Sequence, residues 1–258
     1  MNTGPLAGYR VLVTRPTLQA DALIAVIESA GGEVVRFPVM KITGRKPEQV
    51  ATDFAASHSP DIAIFVSRNA VDHGLAAIRG SGALIAAVGP TTKAAIEAQN
   101  VVVDIVPPGG SDSEHLLRHS MLKDVDGKNI TIVRGEGGRE LLADTLRERG
   151  AKVTYLPVYR RQINNISAEE IARLDQAWRE GGIDCVTVLS VETLEYLLQL
   201  LPPTAIERLR QTPLVAPSER VIQTALERLP GIPAVVASGP RAADMLNALM
   251  DLRHSGRK

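Results

Sequence analysis

Ala151-Lys-Val-Thr-Tyr-Leu-Pro-Val-Tyr-Arg-Arg161 is an extended stretch about twice the length of a mean strand, with a proline in its middle. Glu33-Val-Val-Arg-Phe-Pro-Val-Met-Lys-Ile42 has the same character. Proline has no N–H to give a neighbouring strand, so neither stretch reads as an ordinary inner strand of a sheet. Both read as strands that leave one domain and enter another. Two such crossings put residues 42–155 in an inserted domain. Residues 1–37 and 162–258 then share a discontinuous domain, and 38–41 and 156–161 are the linker strands. Two narrow connectors between domains imply a cleft and a hinge.

Outward from these crossings, short β-branched runs alternate with segments of helical periodicity. Strands are expected at 10–14, 33–37, 61–67, 84–88, 101–106, 129–134, 151–155, 184–190, 214–216 and 234–237. Strands alternating with helices predict an α/β fold with parallel sheets covered on both faces. Ten strands suit two open sheets of about five better than one. The chain also repeats itself. Val11-Leu-Val-Thr-Arg15 matches Ile130-Thr-Ile-Val-Arg134 at an offset of 119, and Leu23, Gly31, Val34 and Pro38-Val39 recur as Leu142, Gly150, Val153 and Pro157-Val158. Further on, Ser67 answers to Ser190 and Pro90 to Pro217, the offset drifting through short insertions. Two similar domains built from one α/β unit follow.

Composition excludes several classes. With 29 Lys+Arg against 29 Asp+Glu the net charge is zero, which argues against a nucleic-acid partner or an anionic membrane surface. One Trp, four Tyr and three Phe are too few for a base-stacking platform. The single cysteine, Cys185, rules out an internal disulfide or a cysteine zinc cage and reads as a buried small hydrophobe. No apolar run approaches a membrane span, and the N-terminus lacks the apolar core of a signal peptide, so a cytoplasmic protein is expected.

In open parallel sheets, ligands bind at the carboxyl ends of the strands, where loops feed helix N-termini. Those positions hold Arg15, Ser67-Arg68-Asn69, Gly89-Pro90-Thr91-Thr92, Pro108-Gly-Gly-Ser111, Arg134-Gly135-Glu136-Gly137, Ser190 and Ser218. Singly, each Ser, Thr or Gly serves as a cap or turn; gathered at one edge with Arg15, Arg68 and Arg134, they suit a polyanionic ligand. Tyr159, in the second crossing, has two readings: packing at the hinge, or a phenol that donates a hydrogen bond or proton. Met40 stands at the equivalent place in the first crossing.

Other chemistries fail on their motifs. Gly135-Glu-Gly137-Gly138 lacks the third glycine of a dinucleotide fingerprint, and no acid lies between Arg149 and Ala168 to hold a ribose. No nucleotide P-loop and no G-x-S-x-G elbow occurs. His115 and His119 are spaced for one helix face, on a helix expected to open at Ser111, but their order is not H-E-x-x-H; a solvated pair is expected and no metal site.

Val11-Leu-Val-Thr-Arg-Pro16, Ser67-Arg-Asn-Ala-Val71, Ala87-Val-Gly-Pro-Thr-Thr-Lys-Ala-Ala-Ile96 and Pro157-Val-Tyr-Arg160, in that order over nearly the whole chain, resemble the uroporphyrinogen-III synthase family. The resemblance implies two α/β domains joined by a two-stranded β-ladder hinge, with the active site in the cleft. It implies a linear tetrapyrrole substrate with eight carboxylates, hydroxymethylbilane, cyclised with inversion of ring D and loss of water, and no cofactor. It implies that Tyr159 assists departure of the hydroxyl, and that Arg15, Ser67, Arg68, Asn69, Gly89, Thr91, Thr92, Arg134, Gly135, Gly137, Ser190 and Ser218 are the places to look for substrate contacts. Ser190-Val191-Glu192 lacks an arginine where the first repeat has Arg68, so backbone N–H groups would do more at that edge. A monomer is the expected state. The competing reading is a catalytically inactive small-anion or tetrapyrrole-binding module of the same fold; the chain shows nothing beyond two domains and a basic tail at 253–258, which favours the enzyme.

Overall fold

The computed structural model describes residues 4–110 and 112–255. Ser111, the first three residues and the end of the basic tail lie outside the described residues. Ten strands are present: β1 (Arg10–Val13), β2 (Glu33–Arg36), β3 (Met40–Gly44), β4 (Ile62–Phe65), β5 (Leu84–Ala87), β6 (Asn129–Gly135), β7 (Lys152–Ile163), β8 (Cys185–Thr187), β9 (Leu214–Ala216) and β10 (Ala234–Val236). They form two five-stranded sheets, in the orders β10-β9-β8-β1-β2 and β3-β7-β6-β4-β5. The chain divides into two compact units. One runs up to Lys41 and resumes at Gln162; the other is Ile42–Arg161.

In the first unit every neighbouring pair of strands is parallel. Side chains alternate across a strand, so β1 sends Leu12 to one face and Val11 and Val13 to the other. Leu12 joins a core with Leu174, Trp178, Leu194, Leu209 and Ile222 from four helices. Val11 and Val13 pack with Leu23, Ile24 and Ile27 of the helix Thr17–Ser29 and Met245 and Leu249 of the helix Ala242–Ser255. A sheet buried on both faces needs apolar residues at consecutive positions, which is why the strands read as unbroken apolar runs.

The second unit repeats the plan. Ile62 and Ile64 of β4 face a core with Leu116, Leu142 and Leu146. Ala63 and Phe65 face the other, with Val50, Val71, Leu75, Ile78 and Ile96. The sequence repeat is also a repeat of register. Arg10 pairs with Glu33 and Val13 with Arg36 between β1 and β2; Asn129 pairs with Lys152 and Ile132 with Tyr155 between β6 and β7, at the same offset.

The crossings differ from expectation. Residues 33–42 are not one strand: β2 ends at Arg36 and β3 begins at Met40. The intervening Phe37 and Val39 are buried in the first unit's core, as their repeat counterparts Leu156 and Val158 are in the second's; the difference is that β2 is the last strand of its sheet, whereas β7 is flanked by β3 and β6. The second crossing is one continuous strand, and Pro157 does sit inside the sheet, between β3 and β6. A register shift accommodates it: Arg134 pairs with Pro157 but Gly135 pairs with Tyr159, so Val158 bulges past. The Pro157 and Val158 carbonyls are taken up by Arg45, through its Nη1 and backbone N at 2.9 Å each. Asn164 N donates to Val39 O at 2.8 Å, so β3 and β7 run in opposite directions. The strand expected at 101–106 reduces to a single bridge between Ala86 and Ile105. His115 and His119 do not share a helix: His115 lies in the one-turn helix Ser113–Leu116 and His119 caps the next turn.

Phe65 is fully buried among β-sheet and helix side chains. Phe65→Ala should lower unfolding free energy by about 3–5 kcal/mol, read from the shift of a urea transition. A loss below about 1 kcal/mol would show that this core is not packed as described.

Candidate active site

Because β4, β5 and β6 are parallel, their carboxyl ends share one edge of the second unit, and three helices start from it: Arg68–Ile78, Pro90–Glu97 and Leu141–Glu148. The first turn of each leaves backbone N–H groups without helical acceptors, which makes the edge receptive to anions. Ser67 caps the first of these helices, its Oγ accepting from Ala70 N at 3.2 Å. Gly89 is the N-cap of the second, with Pro90 at its first position, and brings no side chain to the edge. Thr92 is buried, Thr91 exposed and Asn69 half-buried. Arg68 is turned outward, 70% exposed, and pairs with Asp72 one turn on at 3.5 Å.

β7 brings Tyr159 to this edge. Its side chain belongs to the core of the unit, and only 5% of the residue is exposed. The phenol oxygen lies 3.2 Å from Ser67 Oγ, and either oxygen can donate. Since Ser67 Oγ already accepts from Ala70, the pair ties the tyrosine to the first turn of a helix. Gly135 explains how the ring fits: a Cβ there would lie 2.6 Å from Tyr159 Cε2, so only glycine permits the approach. The bulge that passes Pro157 also sets Tyr159 opposite Gly135. Glu136 N donates to Tyr159 O at 2.8 Å and fixes the backbone.

Beyond the bulge lies a second polar group. The Arg134 side chain is only 8% exposed; its Nη1 lies 3.2 Å from Glu140 Oε1 and its guanidinium sits 4.6 Å above the Tyr155 ring. The Tyr155 hydroxyl donates to the other Glu140 oxygen. That hydrogen bond, with the Arg134 charge beside it, holds the Glu140 carboxyl below the ordinary glutamate range. Burial first, and the Glu140 carboxylate second, push the Tyr155 phenol up. Arg134, Gly135, Gly137, Glu140, Tyr155 and Pro157 line a small cavity of about 160 Å³. Gly137 turns the loop in the left-handed region, at φ +70°.

In the first unit, Arg15 is 8% exposed at the carboxyl end of β1, and burial lowers its pKa. Its Nη2 donates to Pro240 O at 2.9 Å, and among the described residues no carboxylate pairs with it. Ser190 caps the helix Val191–Leu200, accepting from Thr193 N at 3.1 Å. Ser218 opens the helix Glu219–Arg228 but makes no side-chain cap and is exposed. The structure thus gathers Tyr159, Ser67 and Gly135 in one contact, and Arg134, Gly135 and Gly137 around one cavity. Glu140 and Tyr155 escaped sequence reasoning. Their signal was in the repeat, where they stand at the places of Asp21 and Arg36. Among the described residues no group of three His, Cys, Asp or Glu is placed to hold a metal ion, and no helix is long and apolar enough to cross a membrane.

Residues 21–247 match the family described as Uroporphyrinogen-III synthase HemD. The chain belongs to the uroporphyrinogen-III synthase family. It is 31% identical over 226 residues to the uroporphyrinogen-III synthase of Escherichia coli, covering 84% of this chain and 90% of that protein. It is 30% identical over 208 residues to that of Synechococcus elongatus, covering 76% of each. Two solved uroporphyrinogen-III synthases share the fold. That of Helicobacter pylori superposes with a TM-score of 0.64 at 13% identity, covering 95% of this chain and 100% of that one. A mutant from Thermus thermophilus gives 0.59 at 22% identity, covering 96% and 99%.

Two outcomes follow for this uroporphyrinogen-III synthase family member. Gly135→Ala should cost about 1–3 kcal/mol in a urea transition, because the Tyr159 ring has to move; a neutral substitution would mean that the ring is not held there. Carbon-13 titration of Glu140 should give a midpoint below the ~4.3 of an unperturbed glutamate. Because its folded pKa is the lower one, the stabilisation is present above ~4.3 and is lost as pH falls through the folded value. A midpoint at or above ~4.3 would contradict the Tyr155 and Arg134 contacts.

Proposed function

We propose that this chain is a uroporphyrinogen-III synthase that cyclises hydroxymethylbilane to uroporphyrinogen III, inverting ring D and releasing water. The observation that carries the reading is the family match across residues 21–247, and the tyrosine–serine pair at the carboxyl edge supports it. The task is one of folding a flexible chain. Closure without inversion competes, so holding the reacting ends in the right geometry accounts for most of the catalysis. Such holding needs carboxylate anchors, and Arg15, Arg134 and the free N–H groups of the helix starts behind Ser67, Gly89 and Ser190 are anchors of that type.

The chemistry begins with departure of the terminal hydroxyl. The adjacent pyrrole nitrogen pushes electrons toward that carbon, the C–O bond breaks, and a proton from the Tyr159 phenol lets the hydroxyl leave as water. The resulting azafulvene is attacked by the substituted carbon of ring D, and a spiro intermediate forms. Fragmentation and recombination invert the ring before closure, and a ring proton lost on aromatisation restores the phenol. Ser67, within hydrogen-bond distance of Tyr159 Oη, steadies the phenol as the proton moves. The reaction is a rearrangement with loss of water and no net redox change, so no cofactor enters it. We read the enzyme as a cytoplasmic protein acting as a monomer, and its zero net charge argues against a nucleic-acid partner. An inactive binding module of the same fold is the less favoured reading.

Freshly prepared hydroxymethylbilane should yield uroporphyrinogen III, identified as its oxidised porphyrin by chromatography. Isomer I alone would reject the assignment. Tyr159→Phe keeps the packed ring and removes the acid; turnover should fall on the order of 10²-fold with thermal stability nearly unchanged. Full turnover in that variant would remove Tyr159 from the acid role.

A further inference from the structure

The repeat allows one polar cluster to be compared with its counterpart inside the same molecule. Arg134, Glu140 and Tyr155 occupy the repeat positions of Arg15, Asp21 and Arg36. The strand partners agree, since Tyr155 pairs with Ile132 as Arg36 pairs with Val13. In the first unit the acid is engaged elsewhere: Asp21 lies 3.4 Å from Arg36. Arg15 is left buried with a carbonyl and, among the described residues, no carboxylate. In the second unit a tyrosine replaces that competing arginine, and Glu140 lies between the Tyr155 hydroxyl and the Arg134 guanidinium. The repeat therefore folds with its arginine bare, and the acid on Arg134 is not a requirement of the fold.

Glu140 is also poorly anchored. Its side chain is 53% exposed, while the arginine it covers is 8% exposed. The cavity beside them is walled by Arg134 and Tyr155 below and by the turn at Gly137. Glu136 shares this wall, and Arg147 approaches the Tyr155 ring at 5.4 Å while pairing with Asp144. The charge that meets an incoming anion here is thus Arg134, once Glu140 moves. Carboxylate for carboxylate is an exchange that keeps the buried guanidinium neutralised throughout.

We propose that Glu140 is an internal surrogate for a substrate carboxylate, occupying Arg134 in the unliganded protein and swinging into solvent when a carboxylate of the tetrapyrrole takes its place. This rests on the synthase reading above. Glu140 is accordingly a positioning residue that sets how tightly substrate is held.

Glu140→Gln keeps the shape and a neutral acceptor for Tyr155 while removing the competing charge. KM for hydroxymethylbilane should fall three- to tenfold with kcat within twofold, whereas Arg134→Gln should raise KM. The double variant should behave as Arg134→Gln alone, since a surrogate without its arginine has nothing to compete for. Fluorescence titration with uroporphyrin III, an octacarboxylate that needs no turnover, should show the same ordering of affinities. An unchanged or raised KM in Glu140→Gln, with isomer III still formed, overturns the surrogate and leaves the synthase reading standing. If the unmutated protein forms only isomer I, the synthase reading falls. Tighter uroporphyrin binding by Glu140→Gln, lost in the double variant, then still upholds carboxylate exchange at Arg134, and unchanged binding overturns it.

Discussion

The Tyr159 ring occupies the space that a side chain at Gly135 would need, and this is the constraint on which the second unit's edge depends. A side chain at 135 would exclude the ring, and without the shift of register at Arg134 a different residue of β7 would face it. With both in place, the phenol reaches Ser67, which is itself engaged in starting a helix. The phenol and the anion-receptive helix start are therefore one construction. Proline at 157 belongs to the same arrangement, because its missing N–H falls where the ladder is already irregular.

The duplication gives the protein two edges of one design with different charge states. Where the first unit has Arg36, the second has Tyr155, and this one exchange redirects an acid. Asp21 goes to the exposed arginine and leaves Arg15 desolvated, with a carbonyl but no carboxylate partner among the described residues; Glu140 goes to the buried one. Burial lowers the pKa of Arg15, the response expected of a cation taken from water without a counter-charge. A buried cation in this state is destabilising alone and is relieved by any anion that reaches it. The two arginines are thus in different states, one without a carboxylate among the described residues and one already paired.

Much of this architecture was legible in the chain. Unbroken apolar runs such as Ile62-Ala-Ile-Phe65 signal strands buried on both faces, and the 119-residue offset carried through to the register of paired strands. What was not legible depended on tertiary context. Phe37 and Val39 are as buried as their counterparts Leu156 and Val158, but β2 is the last strand of its sheet and β7 has a partner on each side, so the first crossing breaks where the second continues. Val101-Val-Val103 has strand composition, yet Val102 is among the most exposed apolar residues and only Ile105 reaches the sheet. At the site, residue types were readable and distances were not. Ser67 and Gly135 were singled out as residues at strand ends and Tyr159 by its place in the second crossing, but only the fold puts them in one contact. Glu140 gave no signal by itself, because an acid beside a helix start is ordinary.

A chain of zero net charge that is to hold a polycarboxylate, as proposed above, has to do so by placement. Exposed arginines are weak anchors: Arg68 is hydrated, screened over about 8 Å at physiological ionic strength, and already paired with Asp72. Arg15 and Arg134 are held in low-dielectric surroundings, where the same charge acts more strongly and is screened less. Helix starts add partial charges that never appear in a count of lysines and arginines. The balance of 29 basic and 29 acidic residues is a sum over the whole chain; it does not distinguish the two buried guanidiniums from solvated ones, and it leaves out the backbone N–H groups altogether. For such a ligand, strong binding of every carboxylate would itself oppose turnover, since it stabilises bound substrate as much as the transition state. An arginine that must first exchange its own glutamate gives weaker, reversible holding at one of the positions, which suits a chain that has to turn over a ring while it is bound.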